Sequence, residues 1–241
     1  MSTIAEVQNA LRRLGREERY IIACWLEGYQ EEDPGFSGVR EPALKYADEP
    51  RYMTEEEYLA FVERSPTRHE YVNGYVHEMC APTMPHGRVV SRLTVALAKR
   101  LGDGPCEAFA AGLQVQADTS SNHNYYFPDI MVYCDRVGWK EQWARTPRVI
   151  VEVLSPSTQH IDRREKAATY RKVPGMEEYV IAAQGSAQFT IFRRAEGWVA
   201  EVVSGLDAVA EFRSLDMSIP LAEIYRGLPP ETASAESVGP E

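Results

Sequence analysis

Long apolar runs and closely spaced pairs of cysteines are both missing from this chain of 241 residues. No apolar run approaches the roughly 20 residues that a membrane-spanning helix needs, and the N-terminus lacks the basic and apolar stretches of a signal peptide. The four cysteines, at positions 24, 80, 106 and 134, form no Cys-x-x-Cys pair, which argues against a zinc site. We therefore expect a cytoplasmic protein whose cysteines are free and act as small buried side chains.

The chain also has no excess of positively charged residues. The formal net charge is −10, from 26 Lys and Arg residues against 36 Asp and Glu residues. This balance argues against a protein covered by basic surface for gripping DNA. It does not exclude an enzyme that acts on DNA. A local basic surface can bind DNA although the net charge of the chain is negative, and bound cations neutralise acidic ligands.

Apolar periodicity and turn residues divide the chain into three parts, without internal repeats. Residues 1–48 are predicted to be a helical extension and a linker, because apolar residues first recur at helical spacing and then give way to Glu, Asp, Pro and Gly. Residues 49–226 are predicted to form the main domain. The tail 227–241 is rich in Pro, Glu, Ser and Gly and is predicted to be disordered.

Helical and strand-like segments alternate within the main domain. Thr54 followed by Glu57 is typical of a capping box at a helix start, and Asn73-Gly74 predicts a tight hairpin turn within 70–79. The order predicts a mixed central sheet flanked by helices, of α/β or α+β class. The other predicted helices are 86–101 and 162–172, and the other predicted strands are 108–117, 128–133, 148–154, 178–183, 188–193 and 198–203.

Two carboxylates lie on consecutive apolar segments. Asp129 stands at the mouth of the first segment, and Glu152 lies inside the second. A carboxylate in so apolar a run is costly to bury without a partner. For Glu152, an ion pair with an arginine such as Arg148 or Arg163 is the alternative to a metal ion, and Asp129 could be a strand-start cap. Carboxylate oxygens and a backbone carbonyl suit Mg²⁺ or Mn²⁺ better than zinc. We therefore hypothesise that Asp129, Glu152 and the carbonyl of Val153 bind such a metal.

A basic helical segment follows the second carboxylate. Lys166 could stabilise charge on a phosphate during hydrolysis, or it could be a solvated lysine paired with Asp162 one turn earlier. Arg163, Arg164 and Lys172 on the same segment could bind phosphate groups of DNA. They could also be no more than its solvated face.

These motifs resemble the Uma2 (DUF820) family of endonucleases, which has the PD-(D/E)XK restriction-endonuclease-like fold. The resemblance implies that Asp129 and Glu152 are metal ligands. Leu154 stands where the general nuclease motif has a lysine, and the resemblance implies that Lys166 takes its place. The matching positions, within about residues 52–222, are 70–74, His86, Pro128-Asp129, 152–158, Asp162, Lys166, Tyr170 and 178–180.

Glu70 and His86 are the accessory candidates. The resemblance implies that Glu70 lies near the metal, whereas an exposed hairpin charge is the alternative. His86 follows Pro85 at a predicted helix start, where it could contact phosphate or move a proton. A helix-capping or surface histidine is the alternative.

The expected function is hydrolysis of phosphodiester bonds in duplex DNA by a homodimeric endonuclease that depends on Mg²⁺ or Mn²⁺. The alternative is a noncatalytic module of the same fold that binds nucleic acid or a protein partner. A hydrolase of smaller phosphoesters is a third possibility. The carboxylate pair favours the enzyme, whereas the missing motif lysine and the acidic net charge favour the binding module.

Overall fold

The computed structural model describes residues 51–79, 82–110, 112–118, 123–134, 143–154 and 166–228. The predicted N-terminal extension, Asp162, Arg163, Arg164 and nearly all of the predicted tail lie outside these residues. The helices are α1 (Glu55–Val62), α2 (Met84–Leu101), α3 (Ala167–Tyr170) and α4 (Leu221–Tyr225). The strands are β1 (Arg51–Tyr52), β2 (His69–Val72), β3 (Tyr75–Glu78), β4 (Glu107–Ala110), β5 (Gln114–Asp118), β6 (His123–Tyr126), β7 (Ile130–Tyr133), β8 (Trp143–Ala144), β9 (Val149–Leu154), β10 (Glu178–Ala183), β11 (Gln188–Arg193), β12 (Ala200–Ser204), β13 (Val209–Phe212) and β14 (Met217–Pro220).

The strands form two six-stranded sheets and a separate hairpin of β13 and β14. The first sheet has the order β1-β3-β2-β6-β5-β8, and the second has the order β12-β11-β10-β9-β7-β4. Each sheet is mixed, because β5 pairs with β8 and β9 pairs with β10 in parallel while the other pairs are antiparallel. The predicted mixed α+β architecture is therefore confirmed.

Strand β9 lies at the centre of the second sheet, and all six of its residues are buried. Successive side chains of a strand point to opposite faces. Val149 and Val151 therefore pack in the same core as helix α2, whereas Ile150 and Leu154 pack in a second core with α3. Glu152 shares the parity of Ile150 and Leu154, so its side chain faces the α3 side of the sheet.

Local sequence signals account for several element boundaries. The Thr54 hydroxyl accepts a hydrogen bond from the backbone N–H of Glu57, and the Glu57 carboxylate accepts one from Thr54, so the capping box is present. Asn73 and Gly74 have φ angles of 52° and 91°, as the hairpin turn requires. Helix α2 begins two residues before the predicted start and ends at Leu101, with Gly102 as its C-cap.

Two predictions were wrong because they depended on contacts far apart in sequence. The segment 108–117 is two strands in different sheets, β4 and β5, and not one continuous strand. Cys106 and Cys134 are joined by a disulfide and are not free thiols. The register of β4 with β7 pairs Glu107 with Tyr133, which places the next two positions opposite each other across the strands.

None of the helices in the described residues is long and apolar enough to cross a membrane.

Candidate active site

The site lies where β7 begins and β9 ends. These antiparallel neighbours pair Ile130 with Val151, and the next position in the same register brings Asp129 beside Glu152. The Oδ2 atom of Asp129 accepts a hydrogen bond from the backbone N–H of Val153 (2.8 Å) and lies 3.0 Å from Nε2 of His86. Asp129 is therefore held by two contacts to one carboxylate oxygen and is not merely a strand-start cap.

Glu152 is 4% exposed and has two partners on one oxygen. The hydroxyl of Tyr170 donates a hydrogen bond to Oε1 over 3.0 Å, and Nζ of Lys166 lies 3.5 Å from the same atom. Burial raises the pKa of Tyr170 well above its ordinary value, and the negative charge of Glu152 adds to that shift. The hydroxyl thus stays protonated and remains a hydrogen-bond donor to Glu152.

Lys166 bridges two carboxylates and is not a solvated surface lysine. Its Nζ lies 3.0 Å from Oε1 of Glu70, and its side chain is only 13% exposed. The same ammonium lies 5.7 Å from the centre of the Tyr126 ring, within cation–π range. Glu70 also accepts a hydrogen bond from the backbone N–H of Phe127 over 3.1 Å. The structure therefore brings Glu70, Glu152 and Lys166 together.

His86 lies in the first turn of α2, where its backbone N–H donates to the Thr83 hydroxyl. Its Nε2 atom lies 3.0 Å from Oδ2 of Asp129, where a ring N–H can donate to the carboxylate. The Nδ1 atom of the ring is buried and has no hydrogen-bond partner among the described residues. His86 thus orients Asp129. This contact differs from the contact with phosphate that the sequence suggested.

The donor set fits a hard cation better than zinc. No three His, Cys, Asp or Glu side chains in the described residues cluster in a way that could hold a metal. Mg²⁺, however, needs only one or two protein carboxylates because it keeps several waters. The N–H and C=O of one residue in an extended strand point to the same edge, so the carbonyl of Val153 faces the Asp129 side. Both contacts of Asp129 use Oδ2, and no described residue donates to its Oδ1.

The remaining predicted site residues are placed as follows. Lys172 is exposed just after α3, and Arg163 and Arg164 lie outside the described residues. Leu154, at the position of the usual motif lysine, is 4% exposed and packs in the core. The contacts of Tyr126 with Lys166 and of Phe127 with Glu70 could not be predicted, because aromatic residues in an apolar segment are most often core.

Comparisons with known proteins match this chain to one family model and to two relatives. The chain matches the family model Uma2, described as "Putative restriction endonuclease", over residues 55–222. An uncharacterized protein of Synechocystis sp. is 31% identical over 179 residues, which are 73% of this chain and 93% of the relative. A second uncharacterized protein of that organism is 26% identical over 167 residues, 67% of this chain and 93% of the relative.

A solved structure shares the fold. It is the crystal structure of a "putative nuclease belonging to DUF820" from Anabaena variabilis, with a TM-score of 0.60 and 17% identity. The match covers 72% of this chain and 97% of that chain.

Proposed function

Because this chain belongs to the Uma2 family of restriction-endonuclease-like proteins, we propose that it is an endonuclease that hydrolyses duplex DNA with the help of Mg²⁺ or Mn²⁺. The position of Lys166 carries this proposal. Its ammonium lies 3.5 Å from Glu152 and 3.0 Å from Glu70. It thereby supplies the positive charge that Leu154 cannot supply from the strand.

The metal would be held by Asp129, Glu152 and the carbonyl of Val153. When bound, such an ion lowers the pKa of a coordinated water and offsets charge on phosphate. His86 orients Asp129 through Nε2, and Tyr170 orients Glu152 through its hydroxyl. Positioning of this kind matters because metal ligands that are not held by further hydrogen bonds bind more weakly.

Lys166 is proposed to act as a fixed positive charge beside the scissile phosphate. Glu70 holds the ammonium at 3.0 Å while itself anchored to the backbone of Phe127. A donor that is already in place costs no reorganisation when charge develops in the transition state. Glu70 is thus proposed to be a positioning residue for the catalytic lysine.

Further parts of the proposal concern the DNA and the assembly. Arg163, Arg164 and Lys172 are proposed to contact the DNA backbone. The enzyme is proposed to act in the cytoplasm as a homodimer, since two sites related by a two-fold axis suit cleavage of both strands of a duplex. The nuclease domain is proposed to span residues 49–226, with 1–48 and 227–241 as the appended segments.

Calorimetry with Mn²⁺ tests the metal site directly. We expect the double variant Asp129→Asn, Glu152→Gln to lose Mn²⁺ binding, because two amides replace the charged ligands without changing shape. Glu63→Gln removes one exposed carboxylate and should bind Mn²⁺ as the wild type does. Equal affinity of the double variant and the wild type would contradict the metal site. A wild type that binds Mn²⁺ but cuts no plasmid would favour the noncatalytic alternative.

A further inference from the structure

Tyr126, the last residue of β6, holds a fixed position in the core that it shares with α3. It is 1% exposed and packs among the residues of this core, which include Ala167 and Tyr170. Its hydroxyl accepts a hydrogen bond from the side-chain N–H of Asn124 over 3.2 Å. The side-chain oxygen of Asn124 in turn accepts one from the backbone N–H of Asn73, in the hairpin turn, over 2.9 Å. Burial and this chain of hydrogen bonds together fix where the phenol ring lies.

The ring of Tyr126 contacts two residues of the segment that joins β9 to β10. Nζ of Lys166 lies 5.7 Å from the ring centre, and the ring of Tyr170 packs against it in a T-shaped arrangement with centroids 5.3 Å apart. The quadrupole of an aromatic ring favours both a cation over its face and a T-shaped neighbour. Lys166 and Tyr170 both contact Oε1 of Glu152. Tyr126 therefore supports two of the residues that hold this carboxylate.

The helix beside Lys166 is too short to fix the ammonium by itself. Helix α3 spans four residues, and Lys166 is its N-cap. Isolated helices shorter than about 12 residues are marginal in water, so the position of α3 depends on tertiary contacts. A lysine side chain is also flexible and loses much rotamer entropy when it is held. A contact that favours one position of the ammonium therefore raises the fraction of molecules in which it contacts Glu70 and Glu152.

The kind of contact matters as much as its position. Glu70 and Glu152 already pair with the ammonium at 3.0 and 3.5 Å. A further carboxylate would compete with a phosphate for the same charge. An aromatic ring attracts the ammonium more weakly and carries no net charge. It therefore helps to hold Lys166 and leaves the positive charge available to the substrate.

We propose that Tyr126 is a positioning residue, whose ring holds the Lys166 ammonium in the place where it acts on the scissile phosphate. The inference rests on the proposed function. It adds to the site a residue that is too buried to contact DNA itself and that acts through the charge of Lys166.

The test replaces Tyr126 by phenylalanine and by phenylalanines that carry one, two or three ring fluorines. Fluorine withdraws electron density from the ring face and weakens its attraction for a cation, while the ring keeps nearly the same size. The single-turnover rate of Mg²⁺-dependent plasmid cleavage should fall with each fluorine, by about fivefold in total relative to Tyr126→Phe. The same series at Phe189, a buried ring that packs against Tyr225, should leave the rate unchanged.

Two measurements separate an effect on the charge of Lys166 from an effect on packing. Affinity for Mn²⁺ should stay constant along the series, because Glu152 keeps its hydrogen bond from Tyr170. A parallel loss of Mn²⁺ binding would mean that the ring acts through Tyr170 and would overturn the inference. In Lys166→Met the residual cleavage rate should not depend on fluorination, because no ammonium faces the ring.

Failure of this inference and failure of the proposed function give different results. Rates that do not depend on fluorination, together with a wild type that cuts plasmid, would overturn this inference alone. A wild type that binds Mn²⁺ and cuts no plasmid would overturn the proposed function, and the inference with it.

Discussion

Replacing Lys166 by methionine isolates the contribution of one ammonium group. Methionine keeps an unbranched side chain but carries no charge. The side chains of Glu70 and Glu152 are 13% and 5% exposed, so water reaches both carboxylates poorly. Removing one partner of a buried ion pair costs roughly 3–5 kcal/mol. We expect the lower end, about 3 kcal/mol, because Glu70 keeps the N–H of Phe127 and Glu152 keeps the hydroxyl of Tyr170.

Thermal unfolding measured by circular dichroism gives the stability change. In a domain of this size 1 kcal/mol corresponds to about 2–4 °C, so Tm should fall by about 6–12 °C. Lys172→Met, which removes an exposed lysine, should change stability by no more than about 0.5 kcal/mol. Plasmid cleavage with Mg²⁺ should fall on the order of 10²–10³ in Lys166→Met, the usual loss for a contact to developing charge.

Two results would refute this reasoning separately. A wild-type Tm for Lys166→Met would mean that the ammonium contributes nothing to holding Glu70 and Glu152. A wild-type cleavage rate would remove the lysine from the catalytic site even if stability fell. Lys166→Arg should restore stability better than activity, because a planar fork does not replace a compact ammonium.

Three further outcomes are expected. Tyr170→Phe removes only the hydrogen bond to Glu152 and should weaken Mn²⁺ binding in calorimetry by about 10-fold; unchanged affinity would show that the hydroxyl does not position this ligand. Light scattering should give about twice 27.2 kDa, and deletion of residues 1–45 should lower the mass to one subunit; a full-length monomer would contradict the dimer. Burial raises the pKa values of Tyr58 and Tyr225 above the ordinary 10.0, so their stabilising contribution is complete below pH 10 and is lost as the pH rises further. The tyrosinate absorbance that a Tyr58→Phe, Tyr225→Phe variant lacks should therefore appear together with alkaline unfolding, and its appearance in the still-folded wild type would contradict this.

Features decided by neighbouring residues could be predicted from the sequence. The capping box needs only Thr54 and Glu57, three residues apart, and the hairpin turn needs only Asn73 and Gly74. The same holds for β10 and β11, whose observed bounds are the predicted ones. In each case the hydrogen bonds or side-chain alternation that define the element lie within a few residues.

Features decided by strand pairing could not be predicted. The disulfide between Cys106 and Cys134 spans 28 residues, and only the register of β4 with β7 reveals it. The site residues also fall into those that the local sequence predicts and those that it does not. Glu152 stood out because it interrupts an apolar run, whereas Glu70 as the partner of Lys166 depends on how two sheets meet.

The parallel pairing of β9 with β10 has a consequence for recognising distant relatives. Parallel neighbours cannot be joined by a tight turn and need a connection of about a dozen or more residues, here residues 155–177. Lys166 lies in this connection. The parallel pairing of β9 with β10 requires such a connection whether or not it carries a lysine. A lysine on this connection does not take part in the pairing of β9 with β10. A search pattern that requires lysine two residues after the strand carboxylate would pass over this protein, whereas one anchored on the carboxylate pair and a lysine anywhere in the crossover would find it.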